Sequence, residues 1–387
     1  MHTDPGNSAA DGSMKIAFVK QKYVPFGGGE GYVCRLMKGC AARGHEVHLI
    51  TASWPESDFD FPLTVHTVPI NRRSRRTKLF SFSESVQKCA EAMDFDCMFS
   101  MERTESQQIW RAGEGVHRVW LEHRAEFEPR WKTWFNAHSS GHRAYLEMEE
   151  RCVRSTPHIV ANSSMVKGYI ERVYPELTAE IHVIHNGCNL EFFTPENRAE
   201  CRQKVAGRHE LNVEHPLILF PGSDWVRKGL KQAFLVLACV PDARLIVAGR
   251  DNPARWMRLA RSIGVADRVI FASPTRDLRT YYRAADIALL PTWSDPFANV
   301  CLEAVACGTP LVTTEYNGGC EIVQQGENGF AAKNPADVEE MADGLKALLA
   351  RRDEPGRAAA IRETVADCTL ERNFSETLAV IEKAAGC

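Results

Sequence analysis

The sequence lacks the segments that direct a chain into or across a membrane. It has no run of ~20 apolar residues, and residues 1–13 have no apolar core of the kind found in signal peptides. Its thirteen cysteines include no C-x-x-C pair. Because an odd set of free thiols suits a reducing compartment, we expect a cytoplasmic protein, with residues 1–13 forming a disordered leader before Met14.

An excess of charge of one sign is also missing. The formal net charge is -3 and 25% of the residues are charged, so there is no basic field to attract nucleic acid. The chain has 387 residues, and single hydrophobic cores stop growing at ~250–300 residues. The length therefore favours two domains, and the charge favours a small neutral or locally charged ligand.

Short apolar runs alternate with helical patterns along the whole chain, which predicts an α/β protein with parallel, doubly wound sheets. We expect two facing Rossmann-like domains with a cleft between them, at 14–190 and 191–370, and a C-terminal helix at 371–387 that crosses back to the first domain. The predicted strands of the first domain lie at 15–20, in the apolar run that follows Gly44, and at 64–70, 97–101, 158–163 and 181–187. Those of the second domain lie at 217–223, 244–250, 268–273, 287–292 and 310–314.

Ligands of such sheets bind beyond the carboxyl ends of the strands. One strand of the second domain is followed by "FPGSDWVRKGL", with Gly222, Ser223, Arg227 and Lys228, and the next ends at "VAGRD", with Arg250. Glycine admits a ligand close to the backbone, and two cations at a helix start attract an anion. These residues predict a diphosphate site, although the cations could instead belong to a solvated helix face.

A glycine-rich segment, "GGGEG" at 27–31, follows the first strand. Gly28 and Gly29 would let the backbone approach a phosphate or a sugar. The segment does not reproduce the G-x-G-x-x-G pattern of dinucleotide-binding proteins. A plain tight turn is an equal alternative at this position.

The stretch "SDPFANVCLE" joins a predicted strand to a predicted helix. Asp295 would lie in the loop, and Glu303 about one turn inside the helix. The first N–H groups of that helix would face a ligand; they belong to Phe297, Ala298, Asn299 and Val300. Both carboxylates could thus meet one ligand, or Glu303 could be a satisfied structural carboxylate.

These motifs resemble, in the same order along most of the chain, those of retaining glycosyltransferases of family 4, which have the GT-B fold. The family's segment near E-P-F-G-x-x-x-L-E-A-x-A-x-G-x-P stands here as "DPFANVCLEAVACGTP". "KYVPFGGGE", "PGSDWVRKG" and "VAGRDNPAR" are most similar to lipopolysaccharide core enzymes that transfer glucose to heptose. The chain departs from the family at Asp295, where relatives carry Glu, and at Ala298, where they carry Gly.

The resemblance implies a role for each motif. Arg227 and Lys228 would neutralise the leaving diphosphate of a UDP-linked hexose, Glu303 would hold the ribose, and Asp295 with the 297–299 backbone would hold the hexose. Gly28 and Gly29 would approach the donor or the acceptor from the first domain. The remaining donor contacts would come from Gly222, Ser223, Arg250 and Val300. Glu114 and His117, in "GEGVH", are implied catalytic candidates, although His117 could equally be a structural histidine.

No metal or cofactor is expected. The sequence does contain "DFD" twice, at 58–60 and 94–96, which is the Asp-x-Asp pattern of metal-dependent sugar-nucleotide enzymes. Asp58 and Asp60 are predicted in a loop between strands, whereas Asp94 and Asp96 precede a strand and so lie at the wrong edge of the sheet. We therefore interpret all four as solvated carboxylates.

Basic residues interleave with aromatic residues at 118–145, and a second basic segment, "NRRSRRTK", lies at 71–78. Both are typical of a peripheral surface on an anionic membrane, which would suit a lipid-linked or oligosaccharide acceptor at the inner face of the cytoplasmic membrane. An ordinary loop and helix packed on the domain explain them equally well.

Other functions use the same fold. A nucleotide-sugar epimerase or a phosphorylase remains an alternative, although a phosphorylase would need a cofactor lysine or a dedicated phosphate site beyond Lys228. A non-catalytic sugar-nucleotide-binding protein is a further alternative. A dinucleotide oxidoreductase fits least, because its glycine spacing and its acidic ribose contact are missing.

Overall fold

The computed structural model describes residues 12–22, 28–54, 59–129, 139–272 and 277–386. The chain divides into two compact units. The first contains residues up to Asn162, Val166–Ile184 and the residues from Phe374 onward; the second contains Ser163–Met165 and His185–Asn373. The expected leader lies, as far as residue 11, outside the described residues. The predicted domain boundary at 190 falls inside the second unit.

Seven parallel strands form the sheet of the first unit within the described residues, in the order β3-β2-β1-β4-β5-β6-β7. They are β1 Lys15–Val19, β2 Glu46–Thr51, β3 Thr64–Thr67, β4 Cys97–Ser100, β5 Ile109–Arg111, β6 His158–Ala161 and β7 Glu180–Val183. Strand β1 is central and buries Ile16, Phe18 and Val19 completely. A strand covered on both faces must be apolar throughout, which explains why "IAFV" is uninterrupted.

Helices cover this sheet. They are α1 Gly28–Ala42, α2 Arg75–Met93, α3 His117–Phe127, α4 Ser140–Ser155 and α5 Ser164–Val173. The C-terminal helix, α13 Leu370–Ala385, packs Leu378 and Ile381 into the core around Ile16 and Phe18.

The second unit repeats the architecture with six parallel strands in its described residues, in the order β10-β9-β8-β11-β12-β13. They are β8 Leu217–Pro221, β9 Arg244–Ala248, β10 Val269–Ala272, β11 Ile287–Leu289, β12 Leu311–Thr314 and β13 Gly329–Ala332. Its helices are α6 Arg198–His209, α7 Leu230–Ala238, α8 Pro253–Ile263, α9 Leu278–Ala284, α10 Asn299–Ala306, α11 Val338–Leu349 and α12 Arg357–Glu363.

All eleven predicted strands are present, most of them shorter than predicted at their carboxyl ends. Two further strands, β5 and β13, were not predicted because "IWR" and "GFAA" are too short for a pattern of their own. In the parts of the chain that the structure describes, no helix is long and apolar enough to cross a bilayer.

Candidate active site

Two stretches of backbone approach each other closely where β8 and β9 end side by side. Gly222 follows β8 with φ at 116° and its N–H donates to the Ala248 carbonyl at 2.8 Å. A Cβ on Gly249 would overlap the carbonyl of Gly222. The Trp225 indole N–H donates to that same carbonyl at 2.9 Å. Both glycines are therefore required for the close approach of backbone at this edge of the sheet.

Arg227 and Lys228, predicted at a helix start, lie in the turn that precedes α7. The helix begins only at Leu230 because Gly229 adopts the left-handed conformation at the N-cap, with φ at 81°. The turn is closed by the Lys228 N–H, which donates to the Asp224 carbonyl at 3.0 Å. The structure differs from the prediction only in the element that holds the two cations, because both still follow β8.

The two cations converge on one carboxylate oxygen. Arg227 Nη1 lies 2.7 Å and Lys228 Nζ 2.6 Å from Oδ2 of Asp295. Arg227 also donates to the Ser294 carbonyl at 2.8 Å and to the Asp224 carboxylate at 2.8 Å. Asp295 is 7% exposed and Lys228 is 8% exposed, so this is a buried, charge-assisted cluster in which the rotamers of both cations are fixed.

The charged groups in this cluster stabilise one another in their ionised forms. Burial alone would raise the pKa of Asp295, but Lys228 and Arg227 outweigh it and hold the pKa below its ordinary value. Burial would likewise lower the pKa of Arg227, and Asp295 reverses this so that its pKa is raised. Asp295 and Arg227 therefore each stabilise the ionised form of the other.

Helix α10 begins beside this cluster. Ala298 is its N-cap, without a side-chain hydrogen bond of its own. The Phe297 N–H donates to Oδ1 of Asp295 at 3.2 Å, and the Ala298 N–H donates to Oδ1 of the buried Asn317 at 3.2 Å. The first N–H groups of a helix, here those of Asn299 and Val300, have no partner within the helix and favour an anion.

Glu303 lies one turn inside α10, as predicted. Its carboxylate accepts the hydroxyl of Tyr282 at 2.9 Å. Burial raises the pKa of Glu303, and the hydrogen bond from Tyr282 and the charge of Lys228 offset only part of that rise. Glu303 is therefore a partly desolvated carboxyl that lies close enough to Lys228 to share its field.

Ser223 and Arg250 occupy the exposed rim of the same strand ends. The Ser223 hydroxyl accepts the Arg250 N–H at 3.0 Å. This bond joins the chain after β8 to the chain after β9. The second unit therefore brings the predicted residues from 222 to 303 to the carboxyl edge of one sheet.

The first unit also gathers charge at the carboxyl edge of its sheet. Lys20, directly after β1, forms ion pairs with Glu102 at 3.0 Å and with Glu30 at 3.8 Å. Burial would lower the pKa of Lys20, but Glu102 and Glu30 raise it. Gly28 and Gly29 open α1 just before Glu30. Gly27 lies outside the described residues.

Glu114 belongs to a network built on Arg103. Arg103 donates to Glu114 at 3.0 Å and to the fully buried Glu149 at 3.0 Å. Glu149 also accepts the N–H of His117 and the hydroxyl of Tyr174. Desolvation alone would raise the pKa of Glu114, but Arg103 lowers it, so its exposed carboxylate is ionised.

His117, at the start of α3, is placed by its neighbours. Its Nε2 lies 3.1 Å from Nδ1 of His142, and its ring stacks on Trp120 and Tyr145 with centroids 5.3 and 5.1 Å away. Burial, followed by the charge of Arg103, lowers the pKa of His117 to about 3. The imidazole is therefore neutral at physiological pH.

The two "DFD" segments form no carboxylate cluster among the described residues. Asp60 pairs with Lys38, and Asp96 accepts the Lys15 N–H at 2.6 Å at the amino end of the sheet. Asp94 caps the end of α2 in a left-handed conformation. Asp58 lies outside the described residues.

Sequence reasoning missed the groups that position the predicted residues. Tyr282, Asn317, Arg103 and Glu149 have no motif of their own, and each lies far along the chain from the residue it contacts. Lys20 could have been found, because it immediately follows the first predicted strand.

Two family models match the chain, one in each unit. The model "Glycosyltransferase Family 4" matches residues 26–192, and "Glycosyl transferases group 1" matches residues 202–364. The first therefore includes the glycine segment and Glu114, and the second includes Arg227, Lys228 and Glu303.

Similar proteins span nearly the whole chain. A D-inositol 3-phosphate glycosyltransferase of Xylanimonas cellulosilytica is 30% identical over 360 residues, 86% of each chain. The lipopolysaccharide glucosyltransferase WaaG of Escherichia coli is 24% identical and covers 87% of this chain and 90% of WaaG.

Solved structures show the same architecture. The crystal structure of WaaG matches with a TM-score of 0.76 at 23% identity, covering 95% of this chain and 99% of that one. Anabaena HepE in complex with UDP-glucose matches with a TM-score of 0.68 at 18% identity, covering 95% of this chain and all of that one. The protein is thus a glycosyltransferase with the GT-B fold. Within that class, the chain belongs to glycosyltransferase family 4.

Proposed function

We propose that the protein is a retaining hexosyltransferase that moves glucose from UDP-glucose to a lipopolysaccharide core or a similar glycan. The observation that carries the proposal is the convergence of Arg227 and Lys228 on Asp295 beside the start of α10. The names of the similar proteins support the donor and the acceptor: WaaG is a lipopolysaccharide glucosyltransferase, and HepE binds UDP-glucose.

Arg227 and Lys228 act on the leaving group in this proposal. Negative charge develops on the diphosphate as the glycosidic bond breaks, and fixed cations stabilise that charge more than they stabilise the ground state. Asp295 holds both cations ready through Oδ2. Among the contacts described, Oδ1 of Asp295 accepts only the long hydrogen bond from the Phe297 N–H. It can therefore also accept a hydrogen bond from a hexose hydroxyl.

Glu303 holds the ribose of the donor. A carboxyl can accept hydrogen bonds from both ribose hydroxyls, and Tyr282 fixes its orientation. Burial raises the pKa of Glu303, and hydrogen bonds donated by two ribose hydroxyls would compensate its carboxylate for that burial. Ser223, Arg250 and Gly222 complete the donor side in this proposal.

The proposed retention rests on the resemblance to retaining glycosyltransferases of family 4, and the two carboxylates bear on the route by which it would occur. Asp295 is tied to two cations and Glu303 is assigned to the ribose, so neither is offered as a nucleophile of the double-displacement kind. We assign a front-face route: the bond from C1 to the diphosphate oxygen breaks, a bond from C1 to the acceptor oxygen forms on the same face, and the acceptor proton passes to the departing diphosphate oxygen.

The stereochemistry is directly testable. NMR of the product formed from α-linked UDP-glucose should show an α-glycoside, and a β-glycoside would contradict retention. A covalent glycosyl–enzyme trapped in Glu303→Gln would contradict the front-face route while leaving the donor site intact.

The positive charge that the diphosphate needs is supplied by the chain itself, so we propose catalysis without a metal. Activity after dialysis against EDTA should equal that of the untreated enzyme. Loss of activity with EDTA and its return with Mg²⁺ would contradict this part of the proposal.

The first unit is the acceptor side. Gly28 and Gly29 allow a sugar to approach the start of α1, and the ionised Glu114 accepts acceptor hydroxyls. His117, with a pKa near 3, is too weak a base to take a proton at neutral pH, so it orients the acceptor as a neutral hydrogen-bonding group.

The acceptor's lipid would place the enzyme at the inner face of the cytoplasmic membrane. Arg72 and Arg73 precede the capping box of Ser74 and are exposed. They suit contact with anionic lipids. Of the basic and aromatic residues at 118–145, residues 130–138 lie outside the described residues.

A panel of nucleotide sugars tests the proposed donor. At 100 times its dissociation constant a ligand stabilises the protein by ~2.7 kcal/mol, so UDP-glucose should raise Tm and be hydrolysed slowly to UDP. Lys228→Met should reduce both effects, whereas Lys231→Met, an exposed lysine one turn away on α7, should not. A Tm shift with no UDP released would favour a non-catalytic binding protein.

A further inference from the structure

Two histidines and a glutamate meet at the opposite edge of the first sheet from the charges around Lys20. His158 is the first residue of β6, and Glu180, the first residue of β7, is its register partner. His182 follows Glu180 by two residues in β7. Because side chains alternate along a strand, all three project from the same face of the sheet.

The distances between the ligand atoms fit a tetrahedral ion. His158 Nδ1 lies 3.3 Å from His182 Nε2. The Glu180 carboxylate lies 3.7 Å from His158 Nδ1 and 3.8 Å from His182 Nε2. Nitrogen and oxygen ligands at ~2.0–2.2 Å from Zn²⁺ are separated by about 3.3–3.6 Å in tetrahedral geometry, so a slight movement of the exposed carboxylate completes three positions.

The imidazoles are well shielded and the carboxylate is accessible. Each histidine side chain is 17% exposed, whereas that of Glu180 is 49% exposed. A neutral imidazole binds a transition metal through a ring nitrogen, and the ring nitrogens His158 Nδ1 and His182 Nε2 face each other here. A fourth position facing solvent is available for water.

Lys383 is the group that an ion would displace. Its ammonium, from α13, lies 2.7 and 2.6 Å from the two oxygens of Glu180. The lysine side chain is 54% exposed, so it can turn into water. The ion then takes the place of the Lys383 ammonium as the positive charge beside the carboxylate of Glu180.

The sheet contains a second histidine pair that lacks this geometry. His48 Nδ1 lies 2.8 Å from His66 Nε2, but the nearby carboxylate of Glu46 contacts Nε2, the other nitrogen of His48. The three ligand atoms therefore surround the ring of His48 and do not converge on one point. This pair provides a matched control within the same sheet.

We propose that His158, Glu180 and His182 bind one divalent transition-metal ion of the Zn²⁺ class, which clips the edge strand β7 to β6. Two imidazoles and one carboxylate select Zn²⁺, Co²⁺ or Ni²⁺ over Mg²⁺ and Ca²⁺, which require oxygen ligands. The site lies at the amino ends of the strands and takes no part in glycosyl transfer, so it is independent of the proposed function.

Equilibrium dialysis of the tag-free full chain against Zn²⁺ tests the site, with Co²⁺ absorption in the visible range as a report on geometry. We expect one equivalent of Zn²⁺, a tetrahedral Co²⁺ spectrum that Zn²⁺ abolishes, and no competition from excess Mg²⁺. His182→Gln should lose the equivalent, and His66→Gln should keep it.

Lys383→Met keeps the test valid if the histidine variants fold poorly, because the lysine is exposed. It should tighten Zn²⁺ binding several-fold by removing the competing ammonium. Absence of a stoichiometric equivalent in the wild-type protein, an octahedral Co²⁺ spectrum, or an equivalent retained by His182→Gln would overturn the proposal. Unchanged affinity in Lys383→Met would do the same.

Discussion

Asp295 is the negatively charged residue that holds the two cations of the candidate active site, Arg227 and Lys228. It neutralises one of two cations while the donor is absent and holds both at fixed positions. Removing one member of a buried ion cluster leaves the others desolvated without compensation, which costs more than the cluster contributes as a whole.

We expect Asp295→Asn to lower the free energy of unfolding by about 3–5 kcal/mol at pH 7. The folded-state pKa of Asp295 is lowered, so its contribution is present above the unfolded pKa near 3.9 and is lost as the pH falls through the folded value. Urea unfolding from pH 7 down to the acid limit of the fold should show the two proteins converging.

Asp343→Asn is the control for this change, because Asp343 is exposed and pairs with Lys346 on a helix surface. It should change stability by well under 1 kcal/mol. A deficit in Asp295→Asn that stays constant as the pH falls would mean that the ion cluster is not its cause.

Glu303 differs from Asp295 in the sign of its shift. Burial raises its folded pKa, so ionisation of Glu303 opposes folding as the pH rises from the unfolded pKa through the folded one. Glu303→Gln should therefore gain stability relative to the wild type as the pH rises above the unfolded pKa of Glu, ~4.3, while its KM for UDP-glucose rises. Denaturant titrations across this range, paired with donor kinetics, check both effects; a stability difference that falls with pH would contradict the assignment.

The turn between β8 and α7 is the element that presents the cations. Gly229 ends it in a left-handed conformation, and a Cβ there would overlap the carbonyl of Pro291. Gly264, at the end of α8, has a similar φ of 84°, but a Cβ on it would meet nothing within 4 Å. The two glycines therefore separate backbone strain from steric overlap.

We predict that Gly264→Ala costs roughly 1–2 kcal/mol, the strain of a left-handed residue with a Cβ, and leaves donor hydrolysis unchanged. Gly229→Ala should cost more and should reduce kcat, because the turn must shift Arg227 and Lys228. Thermal unfolding and UDP release distinguish the two variants. Equal effects on activity would show that the turn does not determine the positions of the cations.

Elements with a clear apolar run could be predicted from the sequence, and short ones could not. Strand β8 has the apolar run "LILFP". Strand β5 has only three residues, and it is held in the sheet by pairing with its neighbours β4 and β6. The strand-end rule correctly predicted that residues 222–303 share one edge. It could not predict that Arg227 and Lys228 bind Asp295 directly, because that contact depends on side-chain directions across 67 residues of chain.

At the scale of the whole molecule, each unit carries its candidate donor-site or acceptor-site residues at the carboxyl edge of its own sheet. The second unit holds two adjacent cations, Arg227 and Lys228, suited to a diphosphate. The first holds acidic and aromatic groups suited to sugar hydroxyls, with exposed arginines at 72 and 73.

Membrane contact should depend on these arginines. Each basic residue near an anionic surface contributes about 1 kcal/mol, so a double Arg72→Gln, Arg73→Gln variant should partition to anionic vesicles roughly thirtyfold more weakly at low salt. The control is the double variant Arg258→Gln, Arg261→Gln, on an exposed face of α8 in the other unit. Equal partitioning of the two variants, or no binding by the wild type, would contradict membrane contact through Arg72 and Arg73.

The central claim is that Lys228, with Arg227, stabilises the diphosphate as it leaves. Its most direct test is kcat for UDP-glucose in Lys228→Met and Lys231→Met, with folding checked by Tm. Loss of one preorganised electrostatic group lowers kcat by about 10²–10³, so Lys228→Met should show that loss at saturating donor while Lys231→Met matches the wild type. A folded Lys228→Met enzyme with the wild-type kcat would contradict the account.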